Sequence, residues 1–132
     1  MSLLRALIVD DNPLVLETLS QVVLTMGFEA LTEEDGRAAV RRARSEKPDL
    51  ILIDMRLPGI DGLDAVRRMR RHADLSLTPI VALTGYSHAV CEDDVLEAGC
   101  NAFVPKPFEL AALRRTIREV LPSTKAPLCE SH

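Results

Sequence analysis

The sequence predicts an α/β fold: five βα units, (βα)5, building a doubly wound five-stranded parallel sheet with helices on both faces. Short runs of branched aliphatic residues alternate along the chain with segments whose apolar residues recur at helical spacing. Three of these runs are apolar at every position, as in strands covered on both faces. Two others carry alternation or a proline, which places them at the sheet edges.

The first strand is "LIV", Leu7 to Val9. Asn12 can cap the helix that follows and Pro13 can take its first position, with Leu16, Leu19, Val23 and Met26 on one face and Gly27 as the stop. "FEALT", Phe28 to Thr32, alternates and reads as an edge strand. A second helix spans Asp35 to Glu46, with Ala38, Ala39 and Ala43 inward and its arginines outward. "LILI", Leu50 to Ile53, is the third strand. In "LPGIDG", Gly59 and Gly62 supply the backbone freedom of a turn.

The third helix runs from Asp61 to about His72, with Val66 and Met69 inward. The arginines of "RRMRRH" then form a solvated face rather than a nucleic-acid patch. "IVAL", Ile80 to Leu83, is the fourth strand, and Ser87 to Ala98 a fourth helix, weak in apolar stripe and ended by Gly99. "AFVPK", Ala102 to Lys106, is the second edge strand because it carries Pro105. The fifth helix, Glu109 to Leu121, repeats Leu110, Leu113, Ile117 and Leu121 at helical spacing. Beyond it "PSTKAPLCESH" has no periodicity, so residues 3–121 are expected to form one domain and 122–132 a tail or linker stub.

Composition narrows the function classes. At 132 residues the chain is one domain long, enough to bury roughly two-thirds of its unfolded surface. Aromatics are 3% of residues with no Trp, so the core must be aliphatic. A net charge of −4 argues against nucleic-acid binding through bulk charge. No apolar run reaches the roughly 18 residues of a membrane span, and acids follow the start too soon for a signal peptide. Three cysteines without C-x-x-C spacing read as reduced thiols of a cytoplasmic protein. The histidines, His72, His88 and His132, are isolated and show no metal spacing.

In an open α/β sheet, ligands bind beyond the carboxyl ends of the strands. The first strand ends in Asp10 and Asp11, the third in Asp54, the fourth in Thr84 and the fifth in Lys106. Any one of these could be a cap or a solvated charge; five strand-end groups converging on one rim is a pattern. Two carboxylates ~4 Å apart repel by about 4 kcal/mol at an effective dielectric of ~20, so positive charge is required. Lys106 supplies one charge, and a divalent cation with all-oxygen ligands, Mg2+ in character, would supply the rest. Asn12, Asp61 and Asp64 read as caps or helix-surface groups.

"VDDNP", "LILIDMRLPGIDG", "VALTGY" and "AFVPKPF", in this order and spacing, resemble the receiver domains of two-component response regulators over about Leu3 to Leu121. The resemblance implies the flavodoxin-like strand order 2-1-3-4-5 and a phosphorylatable signalling switch that catalyses only its own phosphorylation and dephosphorylation. Asp54 matches the phosphoacceptor, charged by a sensor histidine kinase or histidine phosphotransfer protein. Asp11, Asp54 and the backbone carbonyl of Arg56 would bind Mg2+, with Asp10 acting largely through a metal-bound water. Thr84 and Lys106 match the groups that engage the phosphoryl oxygens, and Phe103 takes the place of the switch aromatic. The Lys106–Pro107 bond is commonly cis in the family. Arg56 and Tyr86 would flank the path of a hydrolytic water and slow loss of the phosphoryl group. An output protein or domain, and a phosphorylation-dependent homodimer, are further expectations.

Other readings fit the same topology. A receiver-like binding module that works without phosphorylation has no use for the acid cluster. A flavin-binding enzyme needs a hydroxyl- and amide-rich phosphate loop where Asp10 and Asp11 stand. A metal-dependent phosphohydrolase needs a general acid and a lid, neither of which the sequence displays.

Overall fold

The computed structural model describes residues 4–85 and 92–122. Five parallel strands form one sheet in the order β2-β1-β3-β4-β5: β1 Leu4–Val9, β2 Phe28–Glu33, β3 Leu50–Asp54, β4 Ile80–Thr84 and β5 Ala102–Pro105. Helices alternate with them: α1 Pro13–Thr25, α2 Gly36–Glu46, α3 Gly62–Arg70, α4 Glu92–Ala98 and α5 Leu110–Val120. The predicted (βα)5 architecture and its flavodoxin-like order are both present. β2 and β5 are the edges, and Pro105 sits on the outer strand, where a missing N–H costs no ladder bond to a further neighbour.

The sheet divides an aliphatic core into two layers. On one face Leu7, Val9, Ile51, Ile53, Ile80 and Ala82 pack with α2, α3 and α4. On the other Ala6, Ile8, Leu50, Leu52, Val81 and Leu83 pack with α1 and α5. All five residues of β3 are buried, which explains why its sequence shows no alternation. Leu16, Leu19, Val22, Val23 and Met26 fill the inner side of α1. Asn12 caps that helix by accepting from the Leu14 N–H at 2.9 Å, and Gly27 follows it with a φ of 95°. Asp35 and Asp61 cap α2 and α3 in the same way, accepting from Ala38 and Asp64.

The helices depart from expectation in a few places. Ala38 is half-buried, and only Ala39 and Ala43 of the predicted alanine stripe reach the core. Leu110 begins α5 on its exposed side, leaving Leu113, Ile117 and Leu121 to pack. Helix α3 stops at Arg70 and passes into a 3-10 turn at Ala73–Leu75. The first part of the predicted fourth helix, residues 87–91, lies outside the described residues.

Arg70 corrects the reading of "RRMRRH" as an outward face. Its guanidinium is half-buried and donates to the Gly99 carbonyl through Nε (2.9 Å) and Nη2 (2.7 Å), to the Leu75 carbonyl through Nη1 (2.6 Å), and to Asn101 Oδ1 (3.0 Å). Asn101 Oδ1 also accepts from the Ile80 N–H at 2.8 Å. One side chain thus fastens α3 to the turn between α4 and β5. Among the described residues, no helix is long and apolar enough to cross a membrane.

Candidate functional site

Parallel register brings the strand-end groups together. Val9 pairs with Ile53, so the next residue of β1, Asp10, lies level with Asp54. Asp54 pairs with Leu83, which puts Thr84 one step further out, and Thr84 pairs with Pro105, which leads to Lys106. Each side chain is therefore aimed by a strand whose own residues are locked in the core. The Lys106–Pro107 peptide is cis, as the resemblance implied.

Asp10 is 0% exposed and Asp54 5%, whereas Asp11 lies on the surface. One carboxylate oxygen from each of the three falls within 4.8 Å of the others. Both buried acids use the same arrangement of partners. Asp10 Oδ1 accepts from the Asn12 N–H at 2.9 Å, and Asp54 Oδ1 from the Arg56 N–H at 3.1 Å. Their Oδ2 atoms share Lys106 Nζ, at 2.7 Å from Asp10 and 3.2 Å from Asp54. Among the described residues, the Asp11 carboxylate has neither an ion pair nor a hydrogen bond.

The electrostatics follow from this packing. Burial pushes the Asp54 pKa above its ordinary value, and the Asp10 charge adds to the push, against the opposing pull of the Arg56 N–H and of Lys106. For Lys106 burial acts downward, yet the hydrogen bond to Asp10 and the charges of Asp54 and Asp10 outweigh it, so its pKa is raised. Among the described residues the three clustered carboxylates are met by one ammonium, held by Asp10 and Asp54, which leaves two negative charges uncompensated. The donors are all oxygens, two held rigidly and one open to solvent. That set fits a small divalent cation that keeps several waters, as Mg2+ does.

Thr84 is half-buried at the end of β4. Phe103 is half-buried on β5, opposite Ala82, against the core layer that holds α2 to α4. The Arg56 side chain is exposed. Tyr86 lies outside the described residues. Beside Lys106, a groove of about 580 Å3 is lined by Leu14, Val15, Thr18, Gly85, Pro107 and Phe108, with Leu14 71% exposed.

Two features were not foreseen. The Arg56 and Asn12 amides that hold the carboxylates are backbone groups, which no residue type announces. Gly62 is needed for space rather than for freedom: it has an ordinary helical backbone, and a Cβ there would sit 2.3 Å from the Asp54 carbonyl oxygen. Gly59, with a φ of 82° and nothing within 4 Å of a Cβ, is the glycine that gives the turn its freedom.

Residues 6–118 match the family described as the response regulator receiver domain. The polar-differentiation response regulator DivK of Brucella anthropi is 30% identical over 115 residues, 87% of this chain and 94% of its own length. The chemotaxis response regulator CheY4 of Vibrio cholerae superposes with a TM-score of 0.84 at 28% identity, over 91% of this chain and all of its own. The receiver domain of the sensor histidine kinase PA1611 from Pseudomonas aeruginosa, solved with magnesium in its active-site cleft, gives a TM-score of 0.81 at 33% identity, covering 89% of this chain and 97% of that one. Family profile, sequence relatives and backbone agree over the same span, and the chain belongs to the receiver domains of two-component response regulators, phosphoaccepting signalling switches rather than classical enzymes.

Proposed function

We propose that this receiver accepts a phosphoryl group on Asp54 from a histidine kinase or histidine phosphotransfer protein, in a Mg2+-dependent reaction, and passes the signal on by changing its contacts with an output partner. The observation that carries the reading is the buried Asp54 carboxylate, gathered with Asp10, Asp11 and the Lys106 ammonium at the carboxyl end of the sheet. In the transfer an Asp54 oxygen attacks the phosphorus, the P–N bond of the donor imidazole breaks, and its electron pair leaves with the ring nitrogen.

Asp11, Asp54 and the Arg56 carbonyl are the proposed metal ligands, with Asp10 acting largely through a bound water. The ion, when bound, neutralises charge that builds on the equatorial phosphoryl oxygens. Lys106, already held by both buried acids, stands ready to pair with a phosphoryl oxygen. The Thr84 hydroxyl, one step beyond Asp54 on the neighbouring strand, turns toward the new group, and Phe103 takes up the space it leaves. The exposed Leu14 and the apolar rim of Pro107 and Phe108 beside Lys106 favour a protein phosphodonor over a small polar one. Arg56 and Tyr86 retard hydrolysis. Residues 3–121 form the working unit and 122–132 a tail or linker stub, in a cytoplasmic protein whose phosphorylated form dimerises.

The test is direct. Incubation with Mg2+ and acetyl phosphate should add one phosphoryl group to the intact mass, and neither Asp54→Ala nor wild type with EDTA in place of Mg2+ should gain it. Labelling that persists in Asp54→Ala refutes the assignment.

A further inference from the structure

The loop from Met55 to Asp61 carries the Arg56 amide that holds Asp54, and two glycines fix where that loop runs. At the start of α3, a Cβ on Gly62 would lie 2.3 Å from the Asp54 carbonyl oxygen, 2.6 Å from Met55 Cα and 2.8 Å from Met55 Cε. At the start of α2, a Cβ on Gly36 would lie 2.6 Å from both the carbonyl oxygen and Cγ1 of Ile60, and 3.3 Å from its Cδ1. Real Cβ atoms do not approach backbone this closely, so a side chain at either position must force the helix start and the loop apart. Neither glycine has the positive φ that would otherwise explain it, in contrast to Gly27, Gly59 and Gly99. Ile60 is buried, and the Gly62 N–H donates to the Met55 carbonyl at 3.1 Å, so the loop is pinned at both ends.

We propose that Gly36 and Gly62 are positioning residues for the phosphoacceptor: the two helix starts close on the 55–61 loop from either side and thereby set the Arg56 backbone against Asp54. This rests on the phosphoacceptor reading and extends it to residues that touch neither metal nor phosphoryl group. The physical warrant is the short lever between clamp and site. The Asp54–Met55 peptide is the surface against which Gly62 packs, and the Arg56 N–H to Asp54 Oδ1 bond begins one residue later. Groups that orient metal-binding carboxylates matter nearly as much as the ligands themselves.

The experiment compares Gly36→Ala and Gly62→Ala with Gly27→Ala, which strains a positive φ at the far end of α1 and lowers stability without touching the loop. Three quantities are read on folded protein: the Arg56 amide chemical shift without metal, Mg2+ affinity by calorimetry, and the rate of labelling by acetyl phosphate at saturating Mg2+. Both clamp variants should move the Arg56 amide resonance and weaken Mg2+ binding by about tenfold, while Gly27→Ala changes only the melting temperature. Should Gly62→Ala fail to fold, Gly36→Ala still decides: part of its clash is with the Ile60 side chain, which can yield, and the rest, with the Ile60 carbonyl oxygen, still presses on the loop. A clamp variant that melts early but keeps the wild-type Arg56 shift and Mg2+ affinity overturns the proposal. Wild-type protein that neither binds Mg2+ nor takes a label overturns the underlying reading instead.

Discussion

Replacing Asp54 by Asn should stabilise the metal-free protein at neutral pH. The Asp54 carboxylate lies within 4.8 Å of an Asp10 oxygen, and at an effective dielectric of ~20 that is a repulsion of about 3.5 kcal/mol. Lys106 at 3.2 Å returns about 5 kcal/mol of attraction on the same footing. Burying the carboxylate costs several kcal/mol more, and the surface charge of Asp11 adds a screened increment. With the burial cost at about 3 kcal/mol, and with the Arg56 N–H bond, which also favours the charge, kept by Asn, the balance runs against the ionised acid by on the order of 1–2 kcal/mol, in the direction of its raised pKa. Asn keeps the Oδ1 acceptor for the Arg56 amide and discards the charge. For a domain of this size the melting temperature should rise by about 3–6 °C in EDTA at pH 7.

The pH dependence follows with a definite sign. A carboxyl group whose folded pKa is raised contributes stability below its ordinary value of 3.8 and loses it as pH climbs through the folded value. The advantage of Asp54→Asn should therefore appear across that window and vanish in acid below it. Saturating Mg2+ should lift the wild type by about 2.7 kcal/mol at a hundredfold excess over Kd and close or reverse the gap. Scanning calorimetry of both proteins in EDTA and in Mg2+ provides the test. If Asp54→Asn melts below wild type in EDTA at pH 7, the buried ionised carboxylate is not disfavoured in the folded protein, and the electrostatic case for a bound cation fails.

Lys106→Met should cost about 3 kcal/mol in EDTA, because it leaves Asp10 and Asp54 buried without their shared cation; urea titration with and without Mg2+ should show part of the loss recovered by the ion. Since the Lys106 pKa is raised, its contribution should stay intact below its ordinary 10.5 and disappear only as pH rises through the higher folded value. Arg70→Met should destabilise by about 2 kcal/mol through the abandoned carbonyls of Gly99 and Leu75, without altering acetyl phosphate labelling. Thr84→Ala should still label, but the amide shifts along β5 that labelling is expected to produce in wild type should be missing from its NMR spectrum. Exchanging Arg56 and Tyr86 for serine should shorten the phosphoryl half-life several-fold by intact mass; an unchanged half-life removes them from the hydrolysis step.

The parts of the site that could be read from the sequence are those where a chemical group ends an apolar run. Asp10, Asp54, Thr84 and Lys106 each follow such a run, and an open parallel sheet leaves its strand ends on one rim. The contact between Lys106 and Asp10, 96 residues apart, needed only that rule. What escaped was carried by groups with no signature in residue type. Arg70 reads as one more surface charge because its partners are carbonyl oxygens, which every residue possesses. The Arg56 and Asn12 amides are equally anonymous. Gly62 was visible as a glycine, but a glycine chosen for space and one chosen for φ look alike until the neighbouring backbone is in place. The end of α3 was overrun for a similar reason, since nothing like Gly27 marks Arg70 as its last residue.

Arg70 also sets up a division of labour within the sheet. It is anchored by three backbone carbonyl bonds and one amide oxygen, with no carboxylate among these acceptors. An arginine stays charged at neutral pH, its acceptors do not titrate, and burial pushes the neighbouring Cys100 thiol up to about 12, so around neutrality this joint is indifferent to acidity and nearly so to ionic strength. The opposite rim is the reverse, a place whose net charge changes whenever an ion or a phosphoryl group arrives. Writing the signal therefore alters the electrical state of one end of the molecule and leaves the fastening at the other as it was, which amide exchange at Gly99 and Cys100, unchanged on phosphorylation, would register.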